Sequence, residues 1–105
     1  MIDNNSKLNC EQRKILKLNS DKIYYANFAF EDCLDNNPLK KNNELVSDIF
    51  KRIGEFWKLK QTFSDCEILN LSNDLVKDIE KVYDLLGREN FKFYNDGVVE
   101  YKWNS

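Results

Sequence analysis

Asp74 and Asp78 stand one helical turn apart in the stretch Asn70-Leu-Ser-Asn-Asp-Leu-Val-Lys-Asp78. Two carboxylates at that spacing could share acid–base work or hold a hard cation. Each also has a lysine three residues on, Lys77 and Lys81, which is the ordinary pattern of a solvated helix face. The oxygen ligands are too sparse for an EF-hand loop, so the solvated face is the stronger reading. The other reactive groups are three cysteines, Cys10, Cys33 and Cys66, with no Cys-x-x-Cys spacing among them. Cys10 and Cys66 fall near expected helix starts, where a thiolate is stabilised, whereas Cys33 falls on an apolar face and reads as a core residue. The chain has no histidine, so the commonest general base and the commonest metal ligand are missing. Its three glycines cannot build a Gly-rich phosphate loop. The sequence therefore points away from an enzyme and implies no cofactor and no resident metal.

The distribution of charge is more informative. Residues 1–60 carry eleven basic against nine acidic side chains, whereas residues 61–105 carry five against nine. Nucleic-acid binders draw affinity from basic stripes that displace counterions. Here the excess is acidic, and only three of the sixteen basic residues are arginine. Direct contact with nucleic acid is thus disfavoured, and a basic protein is the better-matched partner. An odd number of unpatterned cysteines favours a reducing compartment. The amino terminus lacks the apolar stretch of a signal peptide, and no apolar run approaches the roughly 20 residues of a membrane span. These features predict a cytoplasmic protein that does not associate with membranes. At 105 residues the chain is the size of one domain, 1–105, able to bury a core without disulfides or metals.

The elements that must position these groups follow from periodicity. Asn9 can cap a short helix to Leu18, and Ser20 a second helix to about Leu34 with Ile23, Ala26, Phe30 and Cys33 at helical spacing. Tyr24, Ala26, Phe28 and Phe30 also alternate, so a strand stays open as an alternative there. A polar loop around Pro38 follows. Asn43 caps a helix to about Leu59 whose apolar face gathers Leu45, Val46, Ile49, Phe50, Ile53, Phe56 and Trp57. Opposite that face, Asp48–Arg52 and Glu55–Lys58 lie at ion-pairing spacing. Gly54 interrupts this helix, and close approach of another helix is the expected reason. Ser64-Asp-Cys-Glu67 fits a capping box, which starts either a helical turn or leads into a short strand over 67–71. Ser72 then caps a helix that buries Leu75, Val76, Ile79, Val82, Tyr83 and Leu86 and stops at a left-handed Gly87.

The last fifteen residues hold five of the fourteen aromatics, around Asn95-Asp-Gly97. A three-residue loop with Gly97 left-handed pairs Phe93 with Val99, Phe91 with Tyr101 and Lys92 with Glu100, giving one aromatic and one charged face. A two-residue loop would split the aromatics between faces. An isolated hairpin is marginal in water, so its aromatic face must dock on the helices. Phe50, Phe56, Phe91 and Phe93 are expected in the core. Tyr94, Tyr101 and Trp103 read as amphipathic anchors for a partner; alternatively, Tyr101 and Trp103 seal the core while Tyr94 lies along the surface. The expected fold class is α+β and helix-dominated: about four helices in a small bundle, with a C-terminal antiparallel β-hairpin packed on it.

In the helical frame of Leu45–Leu59 and Leu75–Leu86, the acids Asp74, Asp78, Glu80 and Asp84, and the hairpin Phe91–Trp103, the chain resembles the small acidic immunity proteins of bacterial toxin–immunity pairs. Both the colicin type and the contact-dependent growth inhibition type share this general character. The resemblance implies a one-to-one complex with a cognate basic, nuclease-type toxin domain, covering its active site or substrate channel. On that reading the partner-binding residues are Asp74, Asp78, Glu80 and Asp84, then Tyr94, Asp96, Glu100 and Trp103. The acids would mimic substrate phosphates and speed association, and the aromatics would slow release. The alternative is a small regulatory or adaptor protein, such as a phage-encoded inhibitor of a host complex.

Overall fold

Asn9 and Gln12 open the first helix by exchanging hydrogen bonds. The Gln12 amide donates to Asn9 Oδ1 (2.7 Å) and the Asn9 amide donates to Gln12 Oε1 (2.9 Å), a reciprocal cap that satisfies two donors with no partner inside the helix. The computed structural model describes residues 7–36 and 44–103, so the expected Pro38 loop and Asn43 cap lie outside the described residues. Helix α1 spans Cys10–Asn36 without interruption, which replaces the two short helices expected there and excludes the strand. No Gly or Pro falls between Leu18 and Ser20, so nothing in the backbone stops the helix. Ser20 is not a cap but a buried residue within α1.

Helix α2 covers Glu44–Leu59 and α3 covers Asp65–Leu86. The capping box at the start of α3 forms as expected, the Glu67 amide donating to Ser64 Oγ and the Ser64 amide to Glu67 Oε1, both at 3.3 Å. The helix then continues through Ser72 rather than starting there, and because α1 is continuous the described residues hold three α-helices rather than about four. Ser72 is fully buried and works as a contact between helices. Its hydroxyl donates to the Leu69 carbonyl (2.7 Å) and accepts from Asn19 Nδ2 (3.0 Å), which also donates to Asn73 Oδ1 (2.8 Å). Ser and Asn resemble caps in sequence because they are small and polar. At Asn19 and Ser72 the same properties let α1 and α3 approach each other and bond across the contact. Gly54 behaves differently from expectation as well: a Cβ built there meets nothing within 4 Å, so no helix packs against it.

One hydrophobic cluster joins all three helices to the hairpin. Phe30 of α1 lies at its centre, with ring centroids 4.9 Å from Tyr83 of α3, 6.3 Å from Phe50 of α2 and 6.2 Å from Phe91. After α3, Gly87 takes φ 94 and ψ 105, a positive φ outside the left-handed helical basin, and a 3-10 turn over Arg88–Asn90 leads into the hairpin. Strands β1 (Phe91–Phe93) and β2 (Val99–Tyr101) pair antiparallel in the expected register, Phe91 with Tyr101, Lys92 with Glu100 and Phe93 with Val99. Phe91 and Tyr101 are buried, but Phe93 is 43% exposed, contrary to expectation. It lies at the rim, beside the Tyr83 ring (4.9 Å), the Arg88 guanidinium (5.4 Å) and the Phe91 ring (6.4 Å). Tyr101 seals the core, while Trp103 stays 63% exposed.

The hairpin turn itself is pressed onto α1. Gly97 has φ 92, and a Cβ there would lie 3.2 Å from Leu18 Cδ1 and 3.3 Å from the Leu18 carbonyl oxygen. Two glycines therefore predict opposite outcomes. Gly54→Ala, in an exposed helix interior with open space, should stabilise the protein by up to about 1 kcal/mol. Gly97→Ala should destabilise it by about 1–3 kcal/mol through strain at positive φ and crowding on α1. Urea unfolding of the two variants measures both signs directly.

Candidate partner-binding surface

The four acids of α3 form two separate clusters. Asp78 accepts a hydrogen bond from the Arg52 guanidinium of α2 and lies 3.5 Å from Lys81 Nζ. Arg52 thus reaches across to α3 instead of pairing with Asp48 along its own helix. Its hydrogen bond, and then its charge, hold the Asp78 carboxyl below the ordinary 3.8 against the opposing effect of burial. Glu80 and Asp84 both bind Arg88, the Arg88 Nε lying 2.5 Å from Asp84 Oδ1. Hydrogen bonds to these two carboxylates raise the Arg88 pKa further. The same guanidinium rests 5.9 Å from the Tyr83 ring centroid as well as on Phe93. One cluster ties α2 to α3, and the other ties α3 to the hairpin. Asp74 alone of the four is without an ion-pair partner among the described residues, and it is exposed.

The hairpin acids are also used internally. Asp96 Oδ1 accepts from the Val98 amide (3.2 Å), and Glu100 Oε1 accepts from the Tyr94 hydroxyl (2.7 Å). Lys92 Nζ lies 5.3 Å from the Tyr94 ring centroid. Tyr94 is therefore a strut along the charged face of the hairpin, exposed but held at both ends. Trp103 sets its ring edge-on to Tyr101, 5.4 Å between centroids. Of the eight residues selected from sequence, Glu100 and Trp103 come together in one recess; Asp74, Asp78, Glu80, Asp84, Tyr94 and Asp96 lie outside it.

That recess is a groove of about 400 Å³ between α1 and β2, bounded by Tyr24, Tyr25, Phe28 and Asp32 on the helix side. Tyr24 is 48% and Phe28 50% exposed, with ring centroids 5.1 Å apart. Sequence reasoning missed both. Their signal was the alternation that mimicked a strand. On a helix, positions 24 and 28 share a face roughly 160° from the Ile23–Ala26–Phe30–Cys33 stripe, so they point outward. The charged side chains lining this groove are Asp32 and Glu100, with no cation.

Cys33 is buried in the core, Cys66 half-buried and Cys10 exposed, and none of the three is in a disulfide. Among the described residues no group of three or more His, Cys, Asp or Glu could hold a metal ion, and no helix is long and apolar enough to cross a membrane.

Asp78 supplies a pH signature. Its folded-state pKa lies below the ordinary 3.8, so its ion pair stabilises the protein fully above that pH and is lost as the pH falls through the lower folded value. With the carboxyl still 27% exposed, the pair is expected to contribute about 1 kcal/mol or less. Asp78→Asn should be less stable than wild type by that amount at pH 6.5, and the gap should close below pH 3.8. Urea titrations across that range read the difference.

Comparison of the chain with protein-family models, with curated proteins and with solved structures gave no match.

Proposed function

We propose that this chain is a protein inhibitor of the immunity type, which binds and neutralises a cognate basic, nuclease-type bacterial toxin domain in the cytoplasm. The observation that carries this reading is the groove between α1 and β2. Tyr24, Phe28 and Trp103 are among the most exposed large apolar side chains of the described residues, and they border one recess whose charged lining is acidic. Exposed in this way they add little to the stability of the free protein. Covered by a partner, each would remove a large apolar ring from water at about 25 cal/mol per Å². Tyr and Trp are also the residue types that dominate binding energy at protein interfaces.

The acids divide the remaining work. Asp32 and Glu100 face cations of the partner at short range. Asp74 and Asp96, both exposed, add to the long-range field that speeds association and weakens with salt. Asp78, Glu80 and Asp84 contribute less than their number suggests, because their charge is already opposed by Arg52, Lys81 and Arg88. In this reading the protein touches neither nucleic acid nor membrane, and it uses no cofactor.

Affinity capture of the tagged chain from its native cells, with mass spectrometry of what survives a salt wash, tests the proposal. One stoichiometric basic polypeptide is the expected result. A neutral multi-subunit host assembly would contradict it. With the partner in hand, Tyr24→Ala, Phe28→Ala and Trp103→Ala should each weaken binding about tenfold or more, mainly through faster dissociation. Asp32→Lys with Glu100→Lys should slow association most at low salt. Unchanged affinity in all of these variants would exclude this groove.

A further inference from the structure

A second groove, of about 630 Å³, lies on the other side of Tyr24 and Tyr25, between the first half of α1 and the end of α2. We propose that it is a binding site for a planar aromatic acid, an aryl carboxylate or sulfonate. The site is separate from the partner groove, although Tyr24 and Tyr25 border both. Its volume falls within the roughly 300–1,000 Å³ typical of small-molecule sites. Leu8, 5% exposed, and the half-buried Leu16 supply apolar lining. Tyr24 stands perpendicular to both Tyr25 (5.1 Å, 88°) and Trp57 (6.4 Å, 85°). Tyr24, set edge-on to these two rings, forms with them a corner against which a flat ring system can lie.

The charges at this groove differ from those elsewhere in the molecule. Arg52 and Arg88 are neutralised by carboxylates. Arg13 and Lys60 have no carboxylate partner among the described residues, yet both are held in place by neutral groups. Arg13 donates to the Leu8 carbonyl (2.8 Å). Lys60 Nζ donates to Ser20 Oγ (3.4 Å) and lies 5.2 Å from the Trp57 ring centroid. The remaining charged lining is Lys17, paired with Asp21 at 3.3 Å, and Asp65. Asp65 sits in the first turn of α3, where the helix dipole opposes its charge. Two anchored, un-neutralised cations beside an aromatic corner match a ligand with one anionic group on a flat apolar body.

Titration of the full chain with the fluorescent probe anilinonaphthalene sulfonate, and with its uncharged analogue phenylnaphthylamine, tests the site. The expected result is saturable one-to-one binding of the sulfonate. Arg13→Gln combined with Lys60→Met should weaken the sulfonate about tenfold and change the neutral analogue about twofold or less. The methionine keeps an apolar stem on Trp57, and both positions are exposed, so the loss of their two hydrogen bonds should lower the melting temperature only slightly and leave the protein folded at the titration temperature. Trp103→Ala, which alters only the partner groove, should leave sulfonate affinity unchanged. Absence of saturable binding would overturn the proposal. So would equal sulfonate affinity in the double variant, or loss of binding on Trp103→Ala. None of these outcomes depends on whether the partner groove binds a toxin domain.

Discussion

Phe30 is the contact on which the other elements depend. A two-stranded hairpin of three-residue strands has too few hydrogen bonds and too little apolar area to persist alone. Here its inner face, Phe91, Val99 and Tyr101, packs against a ring cluster that α1, α2 and α3 each supply. Phe30 meets a ring from each of the other two helices and from β1. The docking is reinforced at both ends of the hairpin. Gly97 lies against Leu18 of α1, and Arg88 fastens the start of the hairpin to Glu80 and Asp84 of α3. The α1–β2 groove follows from this arrangement, since docking of β2 brings Trp103 and Glu100 to Tyr24 and Phe28.

Intramolecular use of charge divides the surface into regions with different capacities. Where a carboxylate meets an arginine, as at Asp78–Arg52 and Glu80–Arg88–Asp84, the contact acts as a strut between elements and its field is reduced, to a single net negative charge in the second cluster. Where charges are held by neutral groups, as at Arg13, Lys60 and Glu100, they stay available to something outside the chain. The position of a charge in the sequence says less than the identity of its nearest partner. For that reason the acidic run of α3 is structurally prominent, while the shorter α1–β2 recess carries the functional reading.

Much of the fold was legible in the residues, and what was not has specific physical causes. The C-terminal limit of α2, the Asn9 and Ser64 caps and the hairpin register follow from periodicity, capping chemistry and one turn, all of them local. Ser20 and Ser72 misled because a small polar residue serves equally well as a cap or as a helix–helix contact, and only the tertiary fold decides. Gly54 invited a packing explanation that its open surroundings do not support. Phe93 shares a face with Phe91, but it falls outside the buried cluster, at the rim beside Arg88. The site was less legible than the fold. Tyr24 and Phe28 stand out as surface aromatics once the strand alternative for that stretch is excluded, and the pairing of Asp78, Glu80 and Asp84 depends on arginines from 4 to 26 residues away in sequence.

The central claim is that the hairpin belongs to the same cooperative unit as the helices, so that the α1–β2 groove is a permanent feature of the folded protein. Native-state hydrogen exchange tests it most directly at two amides, Tyr94 and Lys102, which donate to the Val98 and Asn90 carbonyls at 2.9 and 2.7 Å. If the hairpin is part of the core, these amides should exchange with the same opening free energy as the most protected amides of α1 and α3, and that energy should fall with urea at the global slope. Exchange at these two positions orders of magnitude faster, through an opening insensitive to urea, would show a detachable hairpin and contradict the claim.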